Sequence, residues 1–119
     1  MMKTLVLGAS LNPSRYSNRA IKLLRSHKHE VIAVGLDEGK VDNVEIIHDF
    51  PANEKIDTIT VYLNPEKQKV YYDKILKAQP RRIIFNPGAE NAELENLAEQ
   101  NGIQVEEACT LVMLNSGQY

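Results

Sequence analysis

Thr4-Leu5-Val6-Leu7-Gly8-Ala9-Ser10-Leu11-Asn12-Pro13-Ser14-Arg15-Tyr16-Ser17 is the stretch whose reading decides the fold. Its first four residues are a continuous run of apolar and β-branched side chains closed by Gly8. A run without polar alternation predicts a strand buried on both faces of a parallel sheet. After the polar residues 10–16, Ser17 is placed to cap a helix whose Ala20, Ile21, Leu23 and Leu24 share one side at three- and four-residue spacing. A strand, a tight turn and a helix start in that order aim backbone N–H groups and a helix's positive end at one point, so the stretch predicts a phosphate cradle.

Working outward, the helix is expected to end near residues 27–29, and 31–35 reads as a second buried strand that completes a βαβ unit. Residues 36–43 are polar and too few for a crossover helix, so a loop is expected there. A brief edge strand at 44–47 and a connector at 51–55 follow. Residues 57–63 form the next strand, and Asn64-Pro65-Glu66 pairs a capping side chain with proline at the first helical position. Val70, Tyr71, Ile75 and Ala78 supply that helix's buried stripe. Pro80 ends it before a strand at 82–85 and the turn Asn86-Pro87-Gly88. Asn91 caps a third helix with Leu94, Leu97 and Ala98 inward, Gly102 sits at a left-handed C-terminal cap, and 103–105 form the last strand. The alternation predicts an α/β fold: a three-layer, Rossmann-like, doubly wound and mostly parallel sheet in a single domain over 1–119.

Bulk properties agree. A chain of 119 residues suits one domain, and 43% hydrophobic with 25% charged residues is far from the composition of disorder. A net charge of −2 gives the chain as a whole no electrostatic reason to seek nucleic acid or an anionic membrane. The one cysteine, Cys109, excludes an internal disulfide framework and a cysteine-built metal site, which fits a cytoplasmic setting. The apolar start at 1–7 is cut by Gly8 before a signal-peptide core or a membrane span is complete.

In a doubly wound sheet the ligand crevice lies beyond the carboxyl ends of the strands, which nominates the loops at 8–17, 35–40, 63–65 and 86–88. In the first, Gly8 permits close backbone approach, Ser10 and Ser17 offer hydroxyls, and Arg15 is placed to pair with a phosphate at the helix start. A plain turn with a helix cap is the alternative. The G-x-G-x-x-G fingerprint is absent, because Ser10 and Pro13 stand where its later glycines would. Asp37 and Glu38 come just after the second strand, either as ribose ligands of a nicotinamide dinucleotide or as solvated loop charges. His27, His29 and His48 have no matching ligand pattern and read as solvated. Cys109, just after the last strand, is either an inert buried thiol or a reactive one facing the crevice. The acidic run at 90–99 reads as a solvated helix face, and Tyr71 and Tyr72 as half-buried.

The order of these loops resembles the small stand-alone CoA-binding proteins, whose domain is similar to the N-terminal CoA-binding domain of the succinyl-CoA synthetase α subunit. Leu7-Gly8-Ala9-Ser10 with Arg15-Tyr16-Ser17, residues 57–63, Ile84-Phe85-Asn86-Pro87-Gly88 and Glu107-Ala108-Cys109-Thr110-Leu111 carry the resemblance. It implies that CoA lies across the carboxyl edge of the sheet, its phosphates at Gly8, Ala9, Ser10, Arg15, Tyr16 and Ser17 and its adenine near the second and third loops. Gly39-Lys40 looks like the Gly-Lys of the synthetase domain, which makes Lys40 a candidate for a CoA phosphate. Leu63-Asn64-Pro65 and Asn86-Pro87-Gly88 match the loops after the fourth and fifth strands. Cys109 matches a cysteine near the pantetheine end. Two positions depart from the pattern: Gly35-Leu36 replaces a common Asn-Pro at the adenine end, and Lys28 stands where a glycine often ends the first helix.

The resemblance implies a binder of coenzyme A or a short acyl-CoA, a non-catalytic sensor, carrier or accessory subunit, since the synthetase reaction needs a phosphorylated histidine on a second domain and a partner subunit. An NAD(P)-binding oxidoreductase or redox sensor is the alternative, with Asp37 or Arg15 reading the ribose or its phosphate. A third reading is an interaction module, a homodimer or partner subunit, with 110–114 as an apolar tail that is exposed if nothing covers it.

Overall fold

The computed structural model describes residues 3–119; the first two residues of the apolar start lie outside them. The decisive stretch opens as strand β1 (Lys3–Ala9), whose residues 4–7 are all buried, as an unbroken apolar run requires. Helix α1 (Tyr16–Ser26) follows and returns the chain to β2 (Glu30–Gly35), which pairs parallel to β1. Lys28, at the place of a common glycine, adopts a left-handed φ of 66° to turn the chain.

The expected loop at 36–43 contains a strand. β3 (Lys40–Val41) and β4 (Val44–Ile47) form an antiparallel hairpin. Its two turn residues, Asp42 and Asn43, both have positive φ, 49° and 67°. That is the signature of a type I′ turn, which Asp and Asn tolerate better than other non-glycine residues. β4 is therefore not the edge: it lies between β3 and β2 and runs parallel to β2.

β5 (Thr58–Val61) pairs with the other side of β1 and leads through α2 (Pro65–Gln68), a 3-10 turn (Lys69–Tyr71) and α3 (Tyr72–Ala78) to β6 (Arg82–Phe85). Asn64 caps α2 as expected, accepting from the Lys67 amide at 3.0 Å. The expected stripe fails at Val70, which is 79% exposed. Three residues per turn in the 3-10 segment rotate it away from the sheet, and Gln68 is buried instead. Asn91 caps α4 (Ala92–Gln100), and Gly102 takes φ 76° just beyond its end. β7 (Gln104–Glu107) begins one residue later than the sequence suggests. The 110–114 tail is not an exposed patch: it is helix α5 (Thr110–Asn115), with Thr110, Met113 and Leu114 buried.

The sheet order is β3-β4-β2-β1-β5-β6-β7, parallel except for β3. Alternate residues of β1 divide the core between its two faces. Leu5 and Leu7 join Ile59, Val61, Ile83 and Phe85 under Ile75 of α3 and Leu94 and Ala98 of α4. Val6 and Ala9 join Ala33 and Ile46 under Ile21 and Leu24 of α1 and Leu114 of α5. This is the three-layer, doubly wound α/β arrangement. Strand order reverses at β1, so β2 and β5, reached by crossovers in opposite directions, diverge from its carboxyl end.

Candidate functional site

Five segments meet along the carboxyl edge of the sheet, and the contacts between neighbours run in strand order. At one end, Asp37 Oδ2, two residues past β2, accepts from the Leu11 amide at 2.9 Å and the Ser10 hydroxyl at 3.4 Å. The Leu11 side chain covers Gly39: a Cβ there would lie 3.0 Å from Leu11 Cδ1. Gly8, with φ 101°, packs on the loop after β5, where an added Cβ would come within 3.1 Å of Leu63. Buried Gln68 joins that loop to the one after β6, donating to the Leu63 and Ala89 carbonyls at 2.8 Å each and accepting from Asn91 Nδ2 at 2.8 Å. Asn86, 1% exposed, donates to Thr60 Oγ1 and the Val61 carbonyl, and its Oδ1 accepts from the Thr110 amide at 2.8 Å, fixing the start of α5 beside Cys109.

Within the β1–α1 turn, Ser10 Oγ accepts from the Asn12 amide, Asn12 Oδ1 accepts from the amide and hydroxyl of Ser14, and the Asn12 carbonyl accepts from the Arg15 amide. This local winding starts α1 two residues early. Arg15, not Ser17, is the cap residue, and it makes no side-chain cap bond. Ser17 is buried in the first turn. The amides of Tyr16 and Ser17, as first-turn N–H groups, have no intrahelical acceptor. Asn18, 2% exposed, donates to the Ser10 carbonyl at 2.9 Å, while its Oδ1 is buried without a partner among the described residues.

The structure thus gathers the sequence candidates on one edge with different degrees of access. Arg15, Tyr16, Lys40, Asn64, Pro65, Pro87 and Gly88 are exposed, Gly8, Ser10, Leu63 and Cys109 half-buried, and Ala9, Ser17, Gly35 and Asn86 buried. Gly35 has a packing reason of its own: a Cβ there would stand 2.3 Å from the Ala9 carbonyl oxygen, where β1 and β2 close together at a bulge. Neither Arg15 nor Lys40 is in an ion pair among the described residues, so both cations are available to an anion. The Tyr16 ring carries the Arg19 guanidinium 5.5 Å from its centre. Beneath the edge, burial pushes the Tyr62 phenol up to about 12, so it stays protonated. Cys109 is a free thiol at the cap position of α5.

Sequence reasoning missed Gln68, Asn18 and the Thr60–Thr110 hydroxyl pair, 2.7 Å apart, because polar residues on an apolar stripe read as solvated. The one signal for Gln68 was its position four residues after the Asn64 cap, on the inner side of the helix.

The CoA binding domain family matches residues 2–115. The chain belongs to that family. No protein of curated function matches the sequence. Among solved structures, a crystal structure of an uncharacterized protein is 47% identical, with a TM-score of 0.96 over 100% of this chain and 98% of that one. A Thermus thermophilus protein is 22% identical, with a TM-score of 0.86 over 99% of this chain and 90% of the other. The dinucleotide-forming acetyl-coenzyme A synthetase 1 of Ca. Korarchaeum cryptofilum, in complex with phosphate and ADP, is 20% identical, with a TM-score of 0.71. There the match covers 89% of this CoA binding domain and 25% of the synthetase. Among the described residues, no helix is long and apolar enough to cross a membrane.

Proposed function

We propose that this CoA binding domain holds coenzyme A or a short acyl-CoA along the carboxyl edge of its sheet and acts without catalysis, as a sensor, carrier or accessory subunit. The observation that carries the reading is the line of loop contacts from Gly39 through Leu11, Gly8, Leu63 and Gln68 to Asn86 and Thr110, flanked by Arg15 and Lys40, neither of them in an ion pair among the described residues. An extended ligand with phosphates at one end and an uncharged arm at the other matches such an edge. In this reading the diphosphate meets the amides of Gly8, Ala9, Ser10, Tyr16 and Ser17 and the Arg15 guanidinium, where the helix end favours negative charge. Lys40 meets a further phosphate, and adenine lies near the 35–40 loop without contact at Gly35, which is closed against the Ala9 carbonyl. The 63–65 and 86–88 loops border the arm, with Cys109 near its thiol. The NAD(P) alternative is disfavoured by Asp37, whose carboxylate is engaged with Ser10 and Leu11 rather than turned to a ribose.

A thermal-shift panel over CoA, acetyl-CoA, NAD, NADPH and ATP tests it. A ligand at one hundred times its Kd adds about 2.7 kcal/mol to stability, several degrees in a domain of this size. CoA is expected to raise Tm and NADPH not to compete. Arg15→Ala and Lys40→Ala, which remove exposed side chains without packing roles, should each weaken CoA by about tenfold. No shift with millimolar CoA or acetyl-CoA overturns the reading.

A further inference from the structure

Asp37 lies two residues past β2, just beyond the place from which a dinucleotide-binding sheet presents a carboxylate to a ribose, and its Oδ2 faces its own chain. Its Oδ2 accepts from the Leu11 amide at 2.9 Å and from the Ser10 hydroxyl at 3.4 Å. Ser10 passes the constraint to Asn12, and Asn12 to Ser14 and Arg15. One carboxylate therefore heads a relay that reaches every residue of the turn except Pro13, which has no N–H to offer. On the other side, the Leu11 side chain lies on Gly39, whose φ of 149° and missing Cβ make room for it, and Lys40 is the next residue.

We propose that Asp37 is a positioning residue: it holds the 10–15 turn in its anion-binding shape and, through Leu11 on Gly39, sets Lys40 at a fixed place beside that turn. The ligand in this inference rests on the CoA reading; the geometry does not. A negative charge next to a phosphate site repels the ligand, weakly when solvent lies between them. A hydrogen bond from a backbone amide to a carboxylate is direct and charge-assisted, and so stronger than a repulsion screened by solvent. The bond therefore outweighs the repulsion, and the two effects give opposite signs when the side chain is removed.

The test compares Asp37→Ala and Asp37→Asn in the full chain by calorimetric titration of CoA and by hydrogen exchange of the Leu11 amide without ligand. Asp37→Ala loses the acceptor and should bind CoA about five- to tenfold more weakly, with Leu11 exchanging at least about tenfold faster. Asp37→Asn keeps an acceptor and loses the charge, so it should restore slow exchange and bind within about twofold of the parent or tighter. If Asp37 works through Lys40, the loss on Asp37→Ala should shrink to less than about threefold in a Lys40→Ala background. Asp37→Ala binding CoA as tightly as the parent, or unchanged Leu11 exchange, overturns the proposal. A parent that binds no CoA defeats the functional reading instead, and the exchange rates then decide whether Asp37 clamps the turn.

Discussion

Gln68 holds the position that an amphipathic helix normally gives to an apolar side chain. It is fully buried, and its amide joins carbonyls 26 residues apart in the chain, those of Leu63 and Ala89. Its oxygen accepts a hydrogen bond from Asn91 Nδ2, which also donates to the Tyr72 hydroxyl. Gln68→Leu fits a similar volume but leaves a buried carbonyl and a half-buried one without this donor, each costing about 1–3 kcal/mol. The expected loss is about 2–4 kcal/mol, a fall in Tm on the order of 10 °C by calorimetry, and a loss below about 0.5 kcal/mol would show that the carbonyls find other donors. Asn64 and Asn91 were legible as caps because capping reads a donor three residues away. Gln68 was not, because its partners come together only when the loops after β5 and β6 do. Gly35 shows the same limit: its place at a strand end was readable, but the Ala9 carbonyl that demands it lies across the strand pair.

At the scale of elements, the continuous apolar runs were the most legible. β2 and β6 fall within a residue of their expected bounds, because a strand buried on both faces is written in consecutive residues. The segment after Asn64 was legible at its start and wrong in its middle, since a 3.6-residue period carried through a 3-10 turn assigns the wrong inward face. That correction is testable. Val70→Lys should change stability by less than about 0.5 kcal/mol, whereas Ile75→Ala, at a fully buried position, should cost about 2–5 kcal/mol. Urea midpoints of the two variants against the parent give the comparison, and equal losses would restore Val70 to the buried stripe. The β3–β4 hairpin did leave a signal, Asp42-Asn43 between valines, but Asp-Asn is a weaker type I′ pair than Asn-Gly, and two-residue strands have no periodicity to read.

At the scale of the molecule, the doubly wound rule placed the candidate loops on one edge, but the cover over the sheet's second face was not in the local pattern. On that face β5 and β6 present Thr58, Thr60 and Arg82, all buried, a polar strip that needs partners rather than apolar contact. Thr110 of α5 meets Thr60. Arg82 reaches Thr58 at 3.0 Å and Glu106 at 3.4 Å. The Tyr119 ring covers the guanidinium at 4.4 Å, meets the His29 ring at 5.0 Å with the two planes tilted by 58°, and hydrogen-bonds Thr4 through its hydroxyl. Leu114 fills the core beside Ile21 and Leu24. Residues 110–119 therefore complete the domain, and a chain cut after Cys109 would expose that polar strip together with the apolar face of α1. Such a chain should lose its cooperative thermal transition, bind a hydrophobic dye and keep part of its far-ultraviolet circular dichroism, the behaviour of a domain with secondary structure but no fixed packing. A sharp two-state transition within a few degrees of the parent would mean that the tail is an appendage and return it to the role of a surface for another subunit.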